Sequence, residues 1–300
     1  MKAARLNSYG DVDQFLIDDV ARPEPEAGQV LIKIEASAVN HFDLMIRQGY
    51  VAQYIPLELP AVLGGDAAGT IVELGSGVIG FAIDDRVIAD FAPNGRGSHA
   101  EYGVVPVSAI AKLPANLSFE QGAALPKAGL TGRQSVDALG VKAGNRVLVS
   151  GGLGGVGRAA IQYLQEIGAK PVAGVRSDRV DEARRLAGEA IDIGAPPTDA
   201  TFDYAISAAA PVAANLIAHV RDGGQVASIV PVPEGANTGN RVTIHELYHR
   251  ADASTLAAVA DAASRGILIV PVAKTFRLDE IGAAQEAVAA GIPGKVVLKH

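Results

Sequence analysis

The stretch SGGLGGVG at residues 150–157, followed by VRSDR at 175–179, carries the most specific chemistry in the chain. Gly152, Gly154 and Gly157 fit G-x-G-x-x-G, with Gly155 and Val156 completing the turn. Such glycines let backbone approach a pyrophosphate, and the N-terminus of a following helix offers free N–H groups and a positive dipole end. A carboxylate about 20 residues beyond the motif ordinarily receives the adenosine ribose 2′-hydroxyl. Counting 19 residues beyond Gly157 lands instead on Arg176, with Ser177 and Arg179 close behind. A carboxylate repels a 2′-phosphate, whereas a guanidinium grips one with paired hydrogen bonds. The spacing therefore predicts NADP(H), held by the glycine turn and by Arg176, Ser177 and Arg179. A solvated loop arginine is the plain alternative.

A second stretch imitates a different chemistry. His245-Glu246-Leu247-Tyr248-His249 reads H-E-x-x-H, which on a helix would place two histidines on one face for zinc, with the glutamate as base. Here it follows RVTI, a β-favouring run, and no third ligand is evident, so a metalloprotease is not expected. The chain has no cysteine, which excludes disulfides, a thiol nucleophile and thiolate-bound metal. No G-x-S-x-G marks a serine hydrolase.

The elements around the glycines make the dinucleotide reading specific. RVLVS before them reads as a buried parallel strand. RAAIQYLQEIG after them places Ala160, Ile161, Leu164 and Ile167 on one helical face and ends in Gly168. PVAGV follows as a second strand, completing a βαβ unit. Further strands are expected at 203–208 and 223–230, giving a doubly wound parallel sheet. The N-terminal third reads differently. QVLIKIEASAV, AGTIVELG, DRVIAD, HAEYGVVP and AIAKLP are short strand candidates separated by Gly, Pro and Asp, the pattern of a small β-barrel. Helical signals run through 118–140, and the tail gives a strand, a helix and a last strand. The plan predicted is a dinucleotide-binding domain, 118–266, inserted into a β-rich domain formed by 1–117 and 267–300.

With 300 residues, 49% of them hydrophobic, a sizeable core is expected. Tryptophan is absent and aromatics are few, so that core must be largely Ala, Val, Ile and Leu. A net charge of −7 without a basic block argues against nucleic acid or an anionic membrane as partner. There is no apolar run approaching the ~20 residues of a membrane span, and the N-terminal stretch lacks a signal-peptide core; a cytoplasmic location is the expectation.

AVNHFDLMIRQGY (38–50), LPAVLGGDAAGTIVELGSGV (59–78), DDRVIA (84–89), HAEYGVVP (99–106), LPKAGLTG (125–132), SGGLGGVG (150–157) and GKVVLK (294–299) occur in this order. Together they resemble the medium-chain dehydrogenases/reductases, specifically the zinc-independent quinone oxidoreductases. The resemblance implies an α/β chain with a GroES-like catalytic barrel, a Rossmann domain, and an active site in the cleft between them. It adds Thr131 to the cofactor contacts. Zinc-dependent relatives carry Cys where this chain has Asn40, and His-Glu where it has Gly65-Asp66, so no metal is expected. HELYH lies where the family has a strand, which often pairs with its two-fold mate; a homodimer is therefore expected.

Without metal or thiol, the chemistry falls to the nicotinamide. The consistent reaction is hydride transfer from NADPH to a quinone or an α,β-unsaturated carbonyl, needing donors near the developing oxyanion and one proton. The resemblance brings forward Asn40, whose amide could polarise the acceptor or order a water; capping or turning the chain is its plain alternative. Tyr50 is a candidate proton donor, because related enoyl reductases place a tyrosine in this region, with Tyr54 competing and a packing role as the plain alternative. Asp43 is a further candidate, although pairing with Arg47 at i+4 is its simpler use. Lys127 stands as a phosphate or substrate contact, or a solvent-facing residue. An enoyl-thioester reductase and a non-catalytic NADPH-binding sensor are the competing readings.

Overall fold

The β-branched runs and glycine-ended amphipathic stretches become strands and helices where their periodicity predicts them, in a computed structural model that describes residues 1–91, 97–197 and 201–300. The first part of the chain holds β1 (Lys2–Leu6), β2 (Phe15–Asp19), β3 (Gln29–Val39), α1 (His41–Arg47), β4 (Ala61–Val62), β5 (Asp66–Leu74), β6 (Arg86–Asp90), β7 (Tyr102–Pro106) and β8 (Ile110–Lys112). There follow α2 (Phe119–Ala123), α3 (Pro126–Leu139), β9 (Arg146–Ser150), α4 (Gly155–Glu166), β10 (Lys170–Val175), α5 (Val180–Ala187), β11 (Glu189–Asp192) and β12 (Phe202–Ser207). The remainder is α6 (Ala213–Ala218), β13 (Val220–Ser228), β14 (Thr243–Glu246), α7 (Ala253–Ser264), β15 (Val272–Arg277), α8 (Ile281–Ala289) and β16 (Lys295–Lys299). Among the described residues no helix is long and apolar enough to cross a membrane.

Two compact units result: Met1–Lys127 with Ala251–Arg265 and Val270–His300, and Ala128–Arg250 with Gly266–Ile269. The division differs from the boundaries read in the sequence. α7 belongs with the β-rich unit, where it packs against β8. The helical run from 118 is also two helices. Ser118 caps α2 by accepting from Gln121 N at 3.2 Å, and the chain breaks before Pro126, whose ring disfavours helical geometry in the residue ahead of it.

In the β-rich unit the long strand β3 pairs antiparallel with β5, β7 and β16, within the order β15-β16-β3-β5-β6-β8. One core gathers Val30, Ile32, Ile34, Ile71, Val87 and Phe91. A second joins α1 and α8 to the strands through Leu6, Leu44, Ile46, Ile281, Val296 and Leu298. In the other unit every strand pair is parallel, in the order β11-β10-β9-β12-β13-β14. Its core, including Leu148, Val172, Leu216, Ile217 and Val226, contains one aromatic among its buried members, Phe202. Small residues let helices approach closely: a Cβ on Gly132 would stand 2.7 Å from Ala159 Cβ.

One polar group inside the β-rich unit departs from this apolar pattern. Ser37 Oγ lies 3.2 Å from His99 Nδ1 and 2.9 Å from His300 Nε2. Burial pushes His99 down to about 3 and His300 down to about 4, because a charged imidazole there loses its hydration. A histidine depressed below its unfolded value near 6.5 contributes stability that is complete above that pH. The contribution is lost as pH falls from there toward 4, where the unfolded chain binds protons that the folded one refuses. Thermal melts between pH 7.5 and 4.5 should therefore show wild type losing Tm more steeply than His99→Gln; parallel curves would refute this.

Candidate active site and cofactor cradle

In the parallel unit, strand β9 ends at Ser150 and the chain turns through Gly151, whose φ of +65° suits a residue without Cβ. Gly154 stands at the N-terminal cap of the twelve-residue α4 and offers no capping side chain, so the first N–H groups of α4 are left for a ligand. A Cβ on Gly157 would lie 2.3 Å from Gly151 O, and one on Gly152 2.9 Å from Ala173 Cβ. Gly155 and Val156 form the first turn of α4. The strand order reverses between β9 and β12, and there Ser150 Oγ accepts from Ala208 N at 3.0 Å. Open parallel sheets bind ligands at such a switch point, outside the strand carboxyl ends. These residues fit a dinucleotide's phosphates.

Arg176 follows directly on β10 with its side chain 76% exposed, tethered to Asp178 at 3.4 Å. Ser177 opens a short 3₁₀ turn. Arg179 is committed elsewhere, with Glu182 accepting from its Nε at 2.7 Å. Arg176 is thus the more available of the two guanidiniums. Thr131 is nearly buried on α3, its Oγ 2.9 Å from His249 Nδ1. His245 lies on β14, with Nε2 2.9 Å from Gln225 Oε1. The two histidines of HELYH therefore sit on a strand and in the segment after it, each engaged with a neighbour, rather than on one helical face.

The β-rich unit holds a buried polar cluster around Asp66, the first residue of β5. Its fully buried carboxylate accepts from Lys127 N at 2.9 Å on Oδ1, and from Asn40 Nδ2 at 3.0 Å and Lys295 Nζ at 3.2 Å on Oδ2. Lys295 Nζ also donates to Asn40 Oδ1 at 2.5 Å. Ser98 Oγ donates to Asp66 O at 2.8 Å. Next to this group, Lys127 Nζ donates to Asp90 Oδ1 at 2.6 Å, with side-chain exposures of only 14% and 2%. Among the described residues no three His, Cys, Asp or Glu side chains assemble a metal-holding group.

Several sequence expectations are corrected here. Asp43 does not pair with Arg47. It closes a capping box, accepting from Asn40 N at 2.7 Å, while Arg47 Nε donates to Gln285 at 2.7 Å and its Nη1 to Gly10 O. The i+4 spacing is right for a pair, but burial gives each side chain a better partner off the helix. Burial raises the Asp43 carboxyl to about 6. Lys127 does not face solvent. Tyr50 and Tyr54, the candidate proton donors, are 69% and 77% exposed and take no part in the cluster. Sequence reasoning missed Lys295 and Asp90 altogether. Lys295 stood within GKVVLK, whose charge could have been questioned inside a closing strand.

The Alcohol dehydrogenase GroES-like domain family matches residues 26–115. The chloroplast envelope quinone oxidoreductase homolog of Arabidopsis thaliana is 30% identical over 251 residues, spanning 78% of this chain and 76% of that protein. The chain belongs to the zinc-independent quinone oxidoreductases of the medium-chain dehydrogenase/reductase superfamily. The quinone oxidoreductase structure from Coxiella burnetii superposes with a TM-score of 0.90 at 26% identity, covering 100% of this chain and 99% of that one. The NADPH-dependent alkenal/one oxidoreductase of Arabidopsis thaliana is 37% identical over 203 residues, 64% of this chain and 52% of its own length. The chain is accordingly an oxidoreductase, of a family that uses a nicotinamide cofactor.

The Asp66–Lys295 pair should dominate local stability, because removing one partner strands a buried charge. Lys295→Met is expected to cost about 3–5 kcal/mol, and adding Asp66→Asn should return much of it. Urea denaturation of both variants decides the point; a single variant as stable as wild type would refute it.

Proposed function

We propose that the chain reduces quinones or α,β-unsaturated carbonyl compounds with NADPH, without a metal. The observation that carries this reading is the Asn40–Asp66–Lys295 group. Asn40 and Asp66 stand at positions where the resemblance puts zinc ligands, and the Lys295 ammonium donates to both. A saturated ketone benefits from a Lewis acid, whereas a conjugated acceptor spreads its developing charge and needs only hydrogen-bond donors. Bound NADPH supplies the hydride. The residues of this chain then have three tasks. The glycine turn and the N-terminus of α4 hold the pyrophosphate. Arg176 grips the 2′-phosphate. The polar cluster faces the charge that collects on the acceptor oxygen as hydride reaches the conjugated carbon, and a proton from solvent completes the reduction. The named relatives that act on quinones and on alkenals and enones support this substrate class.

The direct test is NADPH oxidation across ortho- and para-quinones, alkenals and enoyl thioesters. Turnover of quinones or free enones supports the reading. Selective turnover of thioesters would favour an enoyl-thioester reductase, and binding without oxidation a sensor. The cofactor arm is tested by Arg176→Ala. Loss of a charge-assisted hydrogen bond, roughly 1.5–3 kcal/mol, should weaken NADPH binding about 10- to 100-fold and leave NADH binding nearly unchanged. Equal losses for both would count against a 2′-phosphate contact.

We further propose a homodimer joined through β14, the edge strand of the parallel sheet. Pairing with its two-fold mate would satisfy an otherwise open edge. Ile244→Pro removes one N–H from that edge and should shift the protein toward monomer in light scattering. A monomeric wild type at micromolar concentration would end the proposal.

A further inference from the structure

Gly65 stands beside Asp66, and its missing side chain is put to use. An ideal Cβ built there would lie 2.3 Å from Lys127 Cε and 3.2 Å from Lys127 Nζ. The lysine therefore fills the space into which a side chain at 65 would point. In zinc-dependent relatives that side chain is a histidine ligand, and Asn40, one hydrogen bond from Asp66, takes the place of another ligand. Lys127 is fixed at both ends. Its backbone N–H donates to Asp66 and its ammonium to Asp90. Asp90 takes one N–H of the ammonium, and a lysine ammonium has further donors to offer. The side chain is nearly buried, with 14% of it exposed.

We propose that Lys127 is a catalytic residue whose ammonium does at this site what a metal cation does in zinc-dependent relatives: it meets the acceptor oxygen and takes its developing negative charge. The role rests on the reductase reading above. In the step, the nicotinamide C–H bond breaks and its electron pair forms a C–H bond at the conjugated carbon. The carbon–carbon π pair moves toward the carbonyl, and the oxygen becomes an enolate hydrogen-bonded to Lys127 Nζ. A proton from water then completes the saturated product. The cofactor is oxidised and the acceptor reduced by the same two electrons. Asp90 is a positioning residue: it holds the ammonium and neutralises it between turnovers.

Three variants separate this role from a structural one. Lys127→Met should lower kcat for an enone or quinone about 10²- to 10³-fold, the loss typical of one oxyanion donor, with NADPH Kd by fluorescence unchanged. Lys127→Met with Asp90→Asn also removes the carboxylate that accepts from the ammonium; a merely structural lysine predicts recovery of activity, whereas the proposal predicts that kcat stays low. Gly65→Ala adds a methyl group that pushes the lysine aside while every charge is kept. Its φ is not left-handed, and the crowded atoms are the end of a flexible side chain. Its kcat should also fall, with the deuterium isotope effect from labelled NADPH rising toward its limit as hydride transfer becomes slower. Folded Lys127→Met and Gly65→Ala proteins with wild-type kcat would overturn the role alone. A wild type that binds NADPH yet reduces no acceptor would overturn the reductase reading and the role together.

Discussion

A carboxylate with no access to water must be fully compensated, and Asp66 is where the β-rich unit meets that demand. Its oxygens are satisfied by groups far apart in sequence: Asn40 at the cap of α1, Lys127 in the first turn of α3, and Lys295 at the start of β16. Its own carbonyl receives Ser98 Oγ. One ionised side chain thus ties an early helix, the closing strand, β5 and the entry to α3 into one arrangement. Isolated charge burial costs several kcal/mol, so each partner is held as firmly as the charge is. A site that must present donors in fixed positions gains that rigidity from its own electrostatics.

The other unit solves a different problem by subtraction. A pyrophosphate needs backbone at close range, and side chains are in the way. Gly152 and Gly157 remove them where Ala173 and the Gly151 carbonyl leave no room, and α4 starts without a capping side chain. The same economy appears where α3 meets α4, at Gly132 and Ala159. An alanine-rich, nearly aromatic-free core is the composition that permits such close approaches, because packing density is kept by shortening distances rather than enlarging side chains.

The sequence announced what is local and periodic. Each strand flanking the glycine turn was legible from its apolar run, and HELYH was kept off a helix by the β-favouring residues before it. What it hid is what depends on long-range pairing. Nothing in GKVVLK says that Lys295 meets Asp66, 229 residues away, because a buried ion pair leaves no periodic trace. The i+4 spacing of Asp43 and Arg47 suggested a contact that burial redirected to Asn40 and Gln285. Tyr50, attractive by resemblance, lies on an exposed turn. The allocation of α7 was equally invisible, since its amphipathic face names no partner, and β8 is among those it meets.

The space that a side chain at 65 and the end of the lysine at 127 compete for also shapes how such a site can change over generations. A lineage that loses the lysine first takes from Asp90, 2% exposed, the ammonium that donates to it. A lineage that gains a bulky residue at 65 first drives the ammonium from its place. Either single step passes through a handicapped ancestor, so the two positions are expected to be inherited as a unit. The barrier between metal-using and metal-free descendants of this barrel is then one of mutational order, set by a few ångströms of shared space.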